Sequence, residues 1–270
     1  MFSKTALALL AISAQQALAH VVVLPDLETR AAGHAAHNEA PKFGYTTLNA
    51  ANGWPAQCST GKHQSPIDIK TSAINLFDNK DMIIEWPDLK NAKLANHNPG
   101  VYVEEFEGQP MRVRLPSVND GNLTLPLVQY HFHTPHEHTI DGKKAPMEVH
   151  FVHTDSEKIV VLGAHVDVKE GSSPLDKALA RINAIPGAHM SEPTGPIKMS
   201  EMAEFFKKAP LRRYFGSLTT PPCTEGVQFF IAETKLSVNK QTLADLTTVL
   251  KNNARPVTAY TGNWNGKTDL

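Results

Sequence analysis

The chain has almost no net charge and few long apolar runs. Its 26 basic and 27 acidic side chains leave a formal charge of −1 over 270 residues. Such a balance gives no reason to expect nucleic acid or an acidic membrane surface as a partner. Outside the N-terminal stretch, no segment has the roughly 20 apolar residues that a membrane span needs. We therefore expect neither a nucleic-acid partner nor a membrane span.

Several familiar patterns are also missing. There is no internal repeat and no long low-complexity segment. Strands do not alternate strictly with helices, which disfavours a doubly wound parallel sheet. The H-E-x-x-H pattern of zinc peptidases is absent. Cysteine is scarce, with two residues, whereas the hydrophobic content of 41% is ordinary for a globular protein.

The patterns that are present predict a mainly β protein. Runs rich in Val, Ile, Phe and Tyr, bounded by Gly, Pro and Asp, predict strands at 100–106, 111–115, 125–133, 147–153, 158–168 and 226–236. Helical spacing occurs at 174–185, 200–207 and 239–252, and 187–196 is the clearest long loop. We predict a mainly β (α+β) fold with a large, mostly antiparallel central sheet and peripheral helices.

Three histidines on two of these strands form a candidate metal site. Residues two apart in a strand point to the same face, so His131 and His133 project side by side, and a neighbouring strand can add His150. Three neutral imidazoles with one open position describe a catalytic zinc site. Gln129 and Glu148 each lie two residues before one of these histidines, where they can accept a hydrogen bond from the second ring nitrogen.

A less specific interpretation also accounts for such a pattern. The chain has 13 histidines, so a single H-x-H on a strand face can arise by chance. A lone histidine is more often a surface residue or a satisfied core residue than a ligand. The glutamate two residues before His150, on the same face, favours the metal site.

The segments around these histidines resemble the α-class carbonic anhydrases. The resemblance rests on 64–68 (QSPID), 129–139 (QYHFHTPHEHT), 145–153 (APMEVHFVH), 216–223 (GSLTTPPC) and 253–257 (NARPV), in family order. Several motifs in order are a strong signal, unlike a lone short pattern. The details are most similar to the secreted bacterial and fungal members. The resemblance implies a central twisted sheet of mixed strands with zinc in a conical cleft.

This resemblance implies a function and a ligand set. His131, His133 and His150 would hold Zn²⁺, with Gln129, Glu148 and Asn253 supporting them. Zinc would lower the pKa of a bound water to about 7, and the resulting zinc-bound hydroxide would convert carbon dioxide reversibly to bicarbonate and a proton. The chain would then be a lyase acting on a small molecule, with activated esters as side substrates.

Four further residues match catalytic positions of the family. Thr219 and Glu137 match a pair in which the hydroxyl donates to an ionised carboxylate, so that its oxygen can only accept from a nucleophile that carries a proton. Thr220 matches a substrate contact beside this pair, and Tyr45 matches a tyrosine that orders water. Without the histidines, 219–222 (TTPP) would indicate an ordinary turn.

By the same resemblance, an apolar wall for carbon dioxide would contain Val152, Val161, Leu218 and Val227. Phe229 occupies a position where many relatives carry tryptophan. Taken singly, each of these residues is more simply explained by core packing. His138 and His153 match buried structural positions of the family.

The proton-transfer residue departs from the family pattern. Aligning 96–104 (NHNPGVYVE) with the family places Pro99 where many relatives have the histidine that carries the proton away. Proline has no ionisable group, so another residue is needed. His97, His63 and His136 are candidates, because an unperturbed imidazole titrates near pH 6.5. We favour His97.

The N-terminus predicts secretion. Residues 1–19 read as a signal peptide, with Lys4, an apolar stretch at 6–12 and the small-x-small sequence Ala-Leu-Ala at 17–19. A buried N-terminal helix is the alternative. Residues 20–41 would be a pro-segment or a flexible lead-in, 42–262 a single carbonic anhydrase domain, and 263–270 a polar tail.

The secretory interpretation bears on two modifications. An even cysteine count in an oxidising route favours a disulfide, and family relatives with this pair join the positions of Cys58 and Cys223. Two unpaired buried thiols are the alternative. Asn122 lies in a glycosylation sequon, N-L-T. The sequence leaves open whether the protein forms a homodimer.

Two rival functions must be weighed. A metal-free binding domain on the same fold would lack one or more ligand histidines, but all three are present here. A general zinc hydrolase is disfavoured by the missing H-E-x-x-H.

Overall fold

The computed structural model describes residues 43–108, 110–116, 123–155 and 157–262. The predicted signal peptide 1–19, the segment 20–41, the tail 263–270 and Asn122 lie outside these residues. The α-helices that the model contains in this part of the chain are Gln57–Thr60, Pro174–Ala178, Met199–Lys208 and Lys240–Leu250, and its 3₁₀ helices are Ala50–Asn52, Asn79–Asp81 and Ile182–Ala184.

Most of the regular secondary structure in the described residues is strand. In chain order the strands are β1 (Asp68–Ile69), β2 (Leu76–Phe77), β3 (Ile83–Glu85), β4 (Asn91–Asn96), β5 (Val101–Glu107), β6 (Arg112–Leu115), β7 (Leu123–His133), β8 (Thr139–Ile140), β9 (Met147–Thr154), β10 (Ile159–Val168), β11 (Met190–Pro193), β12 (Leu211–Ser217) and β13 (Glu225–Val238).

One large sheet organises the molecule. Its order is β11-β4-β5-β7-β9-β10-β13-β12-β2, with β6 paired to β7 and β3 paired to β6. The pairing of β10 with β13 is parallel, whereas the other neighbours in this sheet are antiparallel. β1 and β8 form a separate parallel pair. The prediction of a mainly β single domain with a mostly antiparallel sheet and peripheral helices is confirmed.

The sheet is covered on both faces. Every residue of β9 is buried, because successive side chains alternate between two covered faces. The helix face carries the larger core, which includes Tyr130, Phe132 and Phe151 and packs against Phe206 of the helix Met199–Lys208. The opposite face, here called the cleft face, carries a smaller apolar cluster around Val152, Val161, Val227, Phe229 and Ile231.

The predicted helices are found, with one correction. The span 174–185 is a short α-helix, Pro174–Ala178, followed by the 3₁₀ helix Ile182–Ala184. Ser173 begins it with a capping box, and the apolar residues at helical spacing are still buried. Asn239 caps the helix Lys240–Leu250 by accepting a hydrogen bond from the Thr242 amide at 2.8 Å.

The predicted long loop 187–196 is wrong in part, because it contains β11, which pairs antiparallel with β4. β4 itself was not predicted. Its sequence, NAKLAN, is rich in residues with low β propensity, and its pairing with β5 and β11 overrides that local preference. None of the helices in the described residues is long and apolar enough to cross a membrane.

Candidate metal centre

The register between two central strands brings the three histidines together. His131 of β7 lies directly opposite His150 of β9, and His133 lies opposite Glu148. The three ring centroids are 4.8 to 5.3 Å apart. All three side chains therefore converge on the cleft face, as the spacing along the strands predicts.

Two of the rings are held by neutral acceptors. His131 Nδ1 lies 2.9 Å from Gln129 Oε1, and His133 Nδ1 lies 2.9 Å from the carbonyl oxygen of Asn253. Because an amide or carbonyl oxygen only accepts, Nδ1 of each ring carries the hydrogen and Nε2 carries the lone pair. The side chain of Asn253 is fixed in turn, since its Nδ2 donates to the Phe132 carbonyl at 2.9 Å.

The third ring, that of His150, binds its protein acceptor through Nε2 instead of Nδ1. His150 Nε2 lies 2.7 Å from Glu148 Oε1, so Nε2 carries the hydrogen and Nδ1 the lone pair. Glu148 also accepts from His138 Nδ1 at 2.7 Å and from the amides of Glu137 and His138, both at 2.8 Å. Burial acts to raise the pKa of Glu148, but His138 and His150 together hold it well below its ordinary value. The carboxylate is thus ionised beside the ligand ring.

The remaining nitrogens fit a bound metal ion. One nitrogen of each of His131, His133 and His150 lies within 4.8 Å of the other two. His133 Nε2 is buried and has no hydrogen-bond partner, which is costly unless another group binds it. Burial lowers the pKa of His131 and His150, and that of His133 to about 4, so all three rings are neutral at pH 7 and able to act as ligands. The described site therefore suits a metal that prefers nitrogen donors.

Glu137 lies beside these nitrogens. Its Oε2 is 3.3 Å from His133 Nε2 and 3.9 Å from His150 Nδ1, and its Oε1 accepts from the Arg255 amide at 3.0 Å. Burial raises the pKa of Glu137 to about 7, although His150, the Arg255 amide and the Thr219 side chain act to lower it. Thr219 thus acts on the pKa of Glu137, and the hydrogen bond expected between the two side chains stays a prediction.

The turn that carries Thr219 is tied at both ends. The Leu218 amide donates to the Thr224 carbonyl at 2.9 Å, and the Cys223 amide donates to the Thr220 carbonyl at 2.9 Å. Cys223 is joined to Cys58 by a disulfide with Cα atoms 5.1 Å apart, which confirms the predicted pair. Thr220, half-buried, lies next to Thr219 on this turn.

Arg255 links the disulfide to the Glu137 carboxylate. The guanidinium is buried and donates to the carbonyls of Cys58 and Ser65 and to Gln64 Oε1, while the backbone amide of the same residue binds Glu137. Sequence reasoning did not single out Arg255. The resemblance over 253–257 was the signal that could have found it.

Tyr45 lies in an aromatic group at the start of the described chain. Its ring meets those of Phe43 and Trp54 edge-on, with centroids 5.7 and 5.6 Å away. Burial raises the pKa of Tyr45 well above its ordinary value, and the nearby Glu137 and Tyr102 act in the same direction. The hydroxyl therefore stays protonated, close to the charged groups of the site.

The apolar residues predicted to face the substrate lie on the cleft face, which also carries the three histidines. Val152, Val161 and Phe229 belong to the cleft-face cluster, and Leu218 packs against it partly buried. The rings of His150 and Phe229 have centroids 6.0 Å apart. Gly163 pairs with His150 across β9 and β10, and a Cβ there would lie 3.3 Å from His150 Cδ2. The missing side chain leaves room first for Ile231, whose Cδ1 a Cβ would approach to 2.6 Å, and then for the His150 ring.

The three proton-transfer candidates occupy different places. His97 Nε2 lies 3.1 Å from Glu104 Oε1, and its ring centroid is 5.2 Å from that of Tyr102. His63 Nδ1 lies 3.0 Å from Thr261 Oγ1. His136 Nδ1 lies 2.7 Å from the Ala145 carbonyl.

Comparison with known proteins yields one family. Residues 49–264 match the family described as eukaryotic-type carbonic anhydrase. A carbonic anhydrase from Neisseria gonorrhoeae is 31% identical over 238 residues, which cover 83% of this chain and 86% of that protein.

Solved structures are similar to the chain in sequence and in fold. A fungal α-carbonic anhydrase from Aspergillus oryzae is 32% identical with a TM-score of 0.73, over 82% of this chain and 94% of that one. An α-carbonic anhydrase from Thermovibrio ammonificans, solved in complex with the inhibitor sulfanilamide, is 30% identical with a TM-score of 0.64, over 76% and 87% of the two chains.

Proposed function

This chain belongs to the eukaryotic-type carbonic anhydrase family and hydrates carbon dioxide reversibly to bicarbonate, and we propose that it does so with zinc held by His131, His133 and His150. The observation that supports this ligand set is the division of roles between the two nitrogens of each ring. Each imidazole commits one nitrogen to a protein acceptor and leaves the other for a common ion. Three neutral nitrogen ligands with a fourth position open are the arrangement of catalytic zinc sites.

Zinc at this position would supply a nucleophile at neutral pH by lowering the pKa of a bound water to about 7. The protein's own contribution begins with Glu148, Gln129 and Asn253, which orient the three rings and select their tautomers. Such partners commonly account for 10–100-fold in metal affinity or activity.

Thr219 and Glu137 select the protonation state of the nucleophile. With a divalent cation bound nearby, Glu137 would be ionised and would accept the hydrogen of the Thr219 hydroxyl. The threonine oxygen is left as an acceptor, so it stabilises a nucleophile that still carries a hydrogen. The Arg255 amide keeps the carboxylate in place from the other side.

Carbon dioxide binds without a polar anchor. Val152, Val161 and Leu218 form an apolar wall beside His150, where a small apolar molecule replaces water at little cost. Thr220, next to Thr219, contacts the substrate or the water that replaces bicarbonate. No covalent bond to the protein is needed.

His97 accepts the proton that must leave after each turnover, and Tyr45 orders the solvent between. Replacing His97 by Ala should slow hydration at low buffer concentration and leave it nearly normal at high buffer. Added imidazole should restore the rate. Unchanged turnover at low buffer would remove His97 from the mechanism and direct attention to His63 or His136.

Stopped-flow hydration of carbon dioxide tests the function directly. We expect about one zinc per chain by elemental analysis, loss of activity after chelation, and recovery when zinc is added back. Sulfanilamide, which binds the Thermovibrio relative, should inhibit. Slow hydrolysis of an activated ester should be lost together with hydration. A fully metallated protein without hydration activity would contradict the assignment.

Secretion is proposed from the sequence features of residues 1–19 and is supported by the disulfide, which persists in oxidising compartments. Mass spectrometry of the mature protein should find cleavage after Ala19, and it would also show whether Asn122 is glycosylated. Sedimentation would decide whether a homodimer forms. The domain is proposed to span 42–262.

A further inference from the structure

A carboxylate–imidazole pair lies at the edge of the cleft and has no part in the metal centre. His97 follows β4, and its Nε2 lies 3.1 Å from Oε1 and 3.2 Å from Oε2 of Glu104 on β5. The two side chains are largely buried, with 27% and 14% of their surfaces exposed. A hydrogen bond of this kind is sheltered from competing water.

The pair is separated from the metal ligands by one aromatic ring. Tyr102 pairs with His131 across β5 and β7, and its ring centroid lies 5.2 Å from His131 and 5.2 Å from His97. Glu104 is two residues further along β5, so its side chain emerges on the same face as Tyr102. His97 is thus on the metal side of the sheet, at the outer edge of the site.

The backbone at 97–100 fixes the position of His97 and leaves space for the Tyr102 ring. The His97 amide donates to the Gly100 carbonyl at 2.9 Å. A Cβ on residue 100 would lie 2.5 Å from Tyr102 Cε2 and 2.9 Å from its hydroxyl oxygen. Gly100 therefore gives the Tyr102 ring the space that it occupies between His97 and His131.

Charged side chains on β4 and β5 lie next to the pair. Lys93 of β4 places its Nζ 3.1 Å from Glu104 Oε1 and 2.6 Å from Glu105 Oε1. Burial acts to raise the pKa of Glu104, but His97 and Lys93 together lower it. From the neighbouring segment before β11, the His189 amide donates to the Asn96 carbonyl at 2.7 Å. Glu104 is therefore an ionised partner for His97.

We propose that Glu104 is a positioning residue for proton release, which holds the His97 ring at the cleft edge and favours its protonated form. This inference rests on the proposed function, because it takes His97 as the proton acceptor. Glu104 does not touch the substrate or the reacting atoms and acts only through His97.

The proton transfer follows from the hydrogen bond. A carboxylate only accepts, so the neutral ring carries its hydrogen on Nε2, facing Glu104, and its lone pair on Nδ1. The proton released from water in the cleft binds Nδ1 and gives an imidazolium beside the carboxylate. It then leaves from Nδ1 to a buffer base, which restores the neutral ring. Glu104 stays ionised throughout.

The test compares Glu104→Gln with the matched control Glu105→Gln. Both variants remove one carboxylate that binds Lys93, but only Glu104 contacts His97. At low buffer we expect Glu104→Gln to lower kcat about three- to tenfold and to leave kcat/KM unchanged, since proton release follows bicarbonate release. The rise of kcat with pH should move about 0.5–1 unit lower, because an opposite charge no longer favours the protonated ring. Glu105→Gln should change neither.

A second readout does not depend on turnover. NMR titration of the zinc-loaded protein, with the His97 signals assigned by comparison with His97→Ala, should show the same downward shift of the His97 midpoint in Glu104→Gln alone. Glu104→Asp, which keeps the charge, should restore most of kcat.

Three results would overturn the inference. They are equal behaviour of the two glutamine variants, an unchanged His97 titration in Glu104→Gln, and a loss of kcat that persists when Glu104→Gln is added to His97→Ala. If His97→Ala itself leaves low-buffer turnover intact, the proposed acceptor fails. Normal zinc content in all variants keeps either failure separate from the metal centre.

Discussion

The two faces of β9 carry two buried histidines with opposite surroundings. His150 projects onto the cleft face, where Glu148 holds one nitrogen at 2.7 Å and the other is left beside the remaining ligands. His153, three residues later, projects into the core of the helix face. Its ring stacks on Trp86 with centroids 5.5 Å apart, and neither of its nitrogens has a hydrogen-bond partner of good geometry.

The comparison shows that burial alone does not make a ligand. Burial lowers the pKa of both imidazoles, to about 3 for His153, where the backbone of Val160 and Phe151 acts weakly against it. Both rings are therefore neutral. What distinguishes His150 is an ionised acceptor that fixes its tautomer, together with two more imidazoles whose available nitrogens lie close to its own.

The largest difference in zinc content and activity is expected between a variant that replaces His150 on the cleft face and one that replaces His153 on the helix face. Removing a ligand with His150→Ala should abolish stoichiometric zinc binding and lower hydration by about a thousandfold or more, since the nucleophile depends on the metal. His153→Phe should retain zinc and most activity. Elemental analysis and stopped-flow hydration measure both. A His153 variant that loses zinc while folded would break the comparison.

The two faces should also be stabilised in different ways. Replacing Cys58 and Cys223 with Ser removes the cross-link that closes 165 residues, and we expect a loss of about 5 kcal/mol in the free energy of unfolding. Phe206→Ala on the helix face should cost a similar 3–5 kcal/mol by leaving a cavity. Denaturant titration gives both values. Only the cysteine variant should also lower kcat, because Cys223 anchors the turn of Thr219.

The loss of zinc affinity should be larger when the charged acceptor of a histidine N–H is replaced than when a neutral one is. We expect Glu148→Gln to weaken zinc binding about 10–100-fold, since the His150 tautomer is no longer held by an ionised group. Gln129→Ala should weaken it less, because His131 keeps its place in the strand pair. Competition with a chelator measures both affinities. Equal losses would mean that charge is unimportant at this contact.

The smallest effect concerns acid stability. The folded-state pKa of His153 lies below that of the unfolded chain, so the unfolded state binds more protons and stability falls as the pH drops below about 6.5. Between pH 7 and pH 5 this group alone should cost roughly 2 kcal/mol. His153→Phe should remove that part of the pH dependence, as measured by denaturant unfolding at both pH values. An identical pH dependence in the variant would mean that His153 protonates without penalty.

Much of the site could be predicted because it follows strand periodicity and motif order. The two-residue spacing of His131 and His133 places both on one face whatever the rest of the fold, and the strand that carries Glu148 offered His150 as the third ligand. The family resemblance added Glu137 and Thr219. Arg255, Glu104 and Tyr102 were missed as partners, since their contacts join segments whose distance apart is not encoded in local spacing. The strand β4 was missed because its own residues do not favour extended backbone.

The sequence by itself determined which side chains share a face, which residues can bind metal and which family the chain belongs to. These properties depend on chain geometry over a few residues and on chemical identity. Only the tertiary structure decided which nitrogen of each imidazole is left for an ion, that Arg255 connects the disulfide to Glu137, and that His97 is held by a carboxylate. Those features depend on register and on contacts across long stretches of chain, where a shift of one residue would exchange the two faces of the sheet.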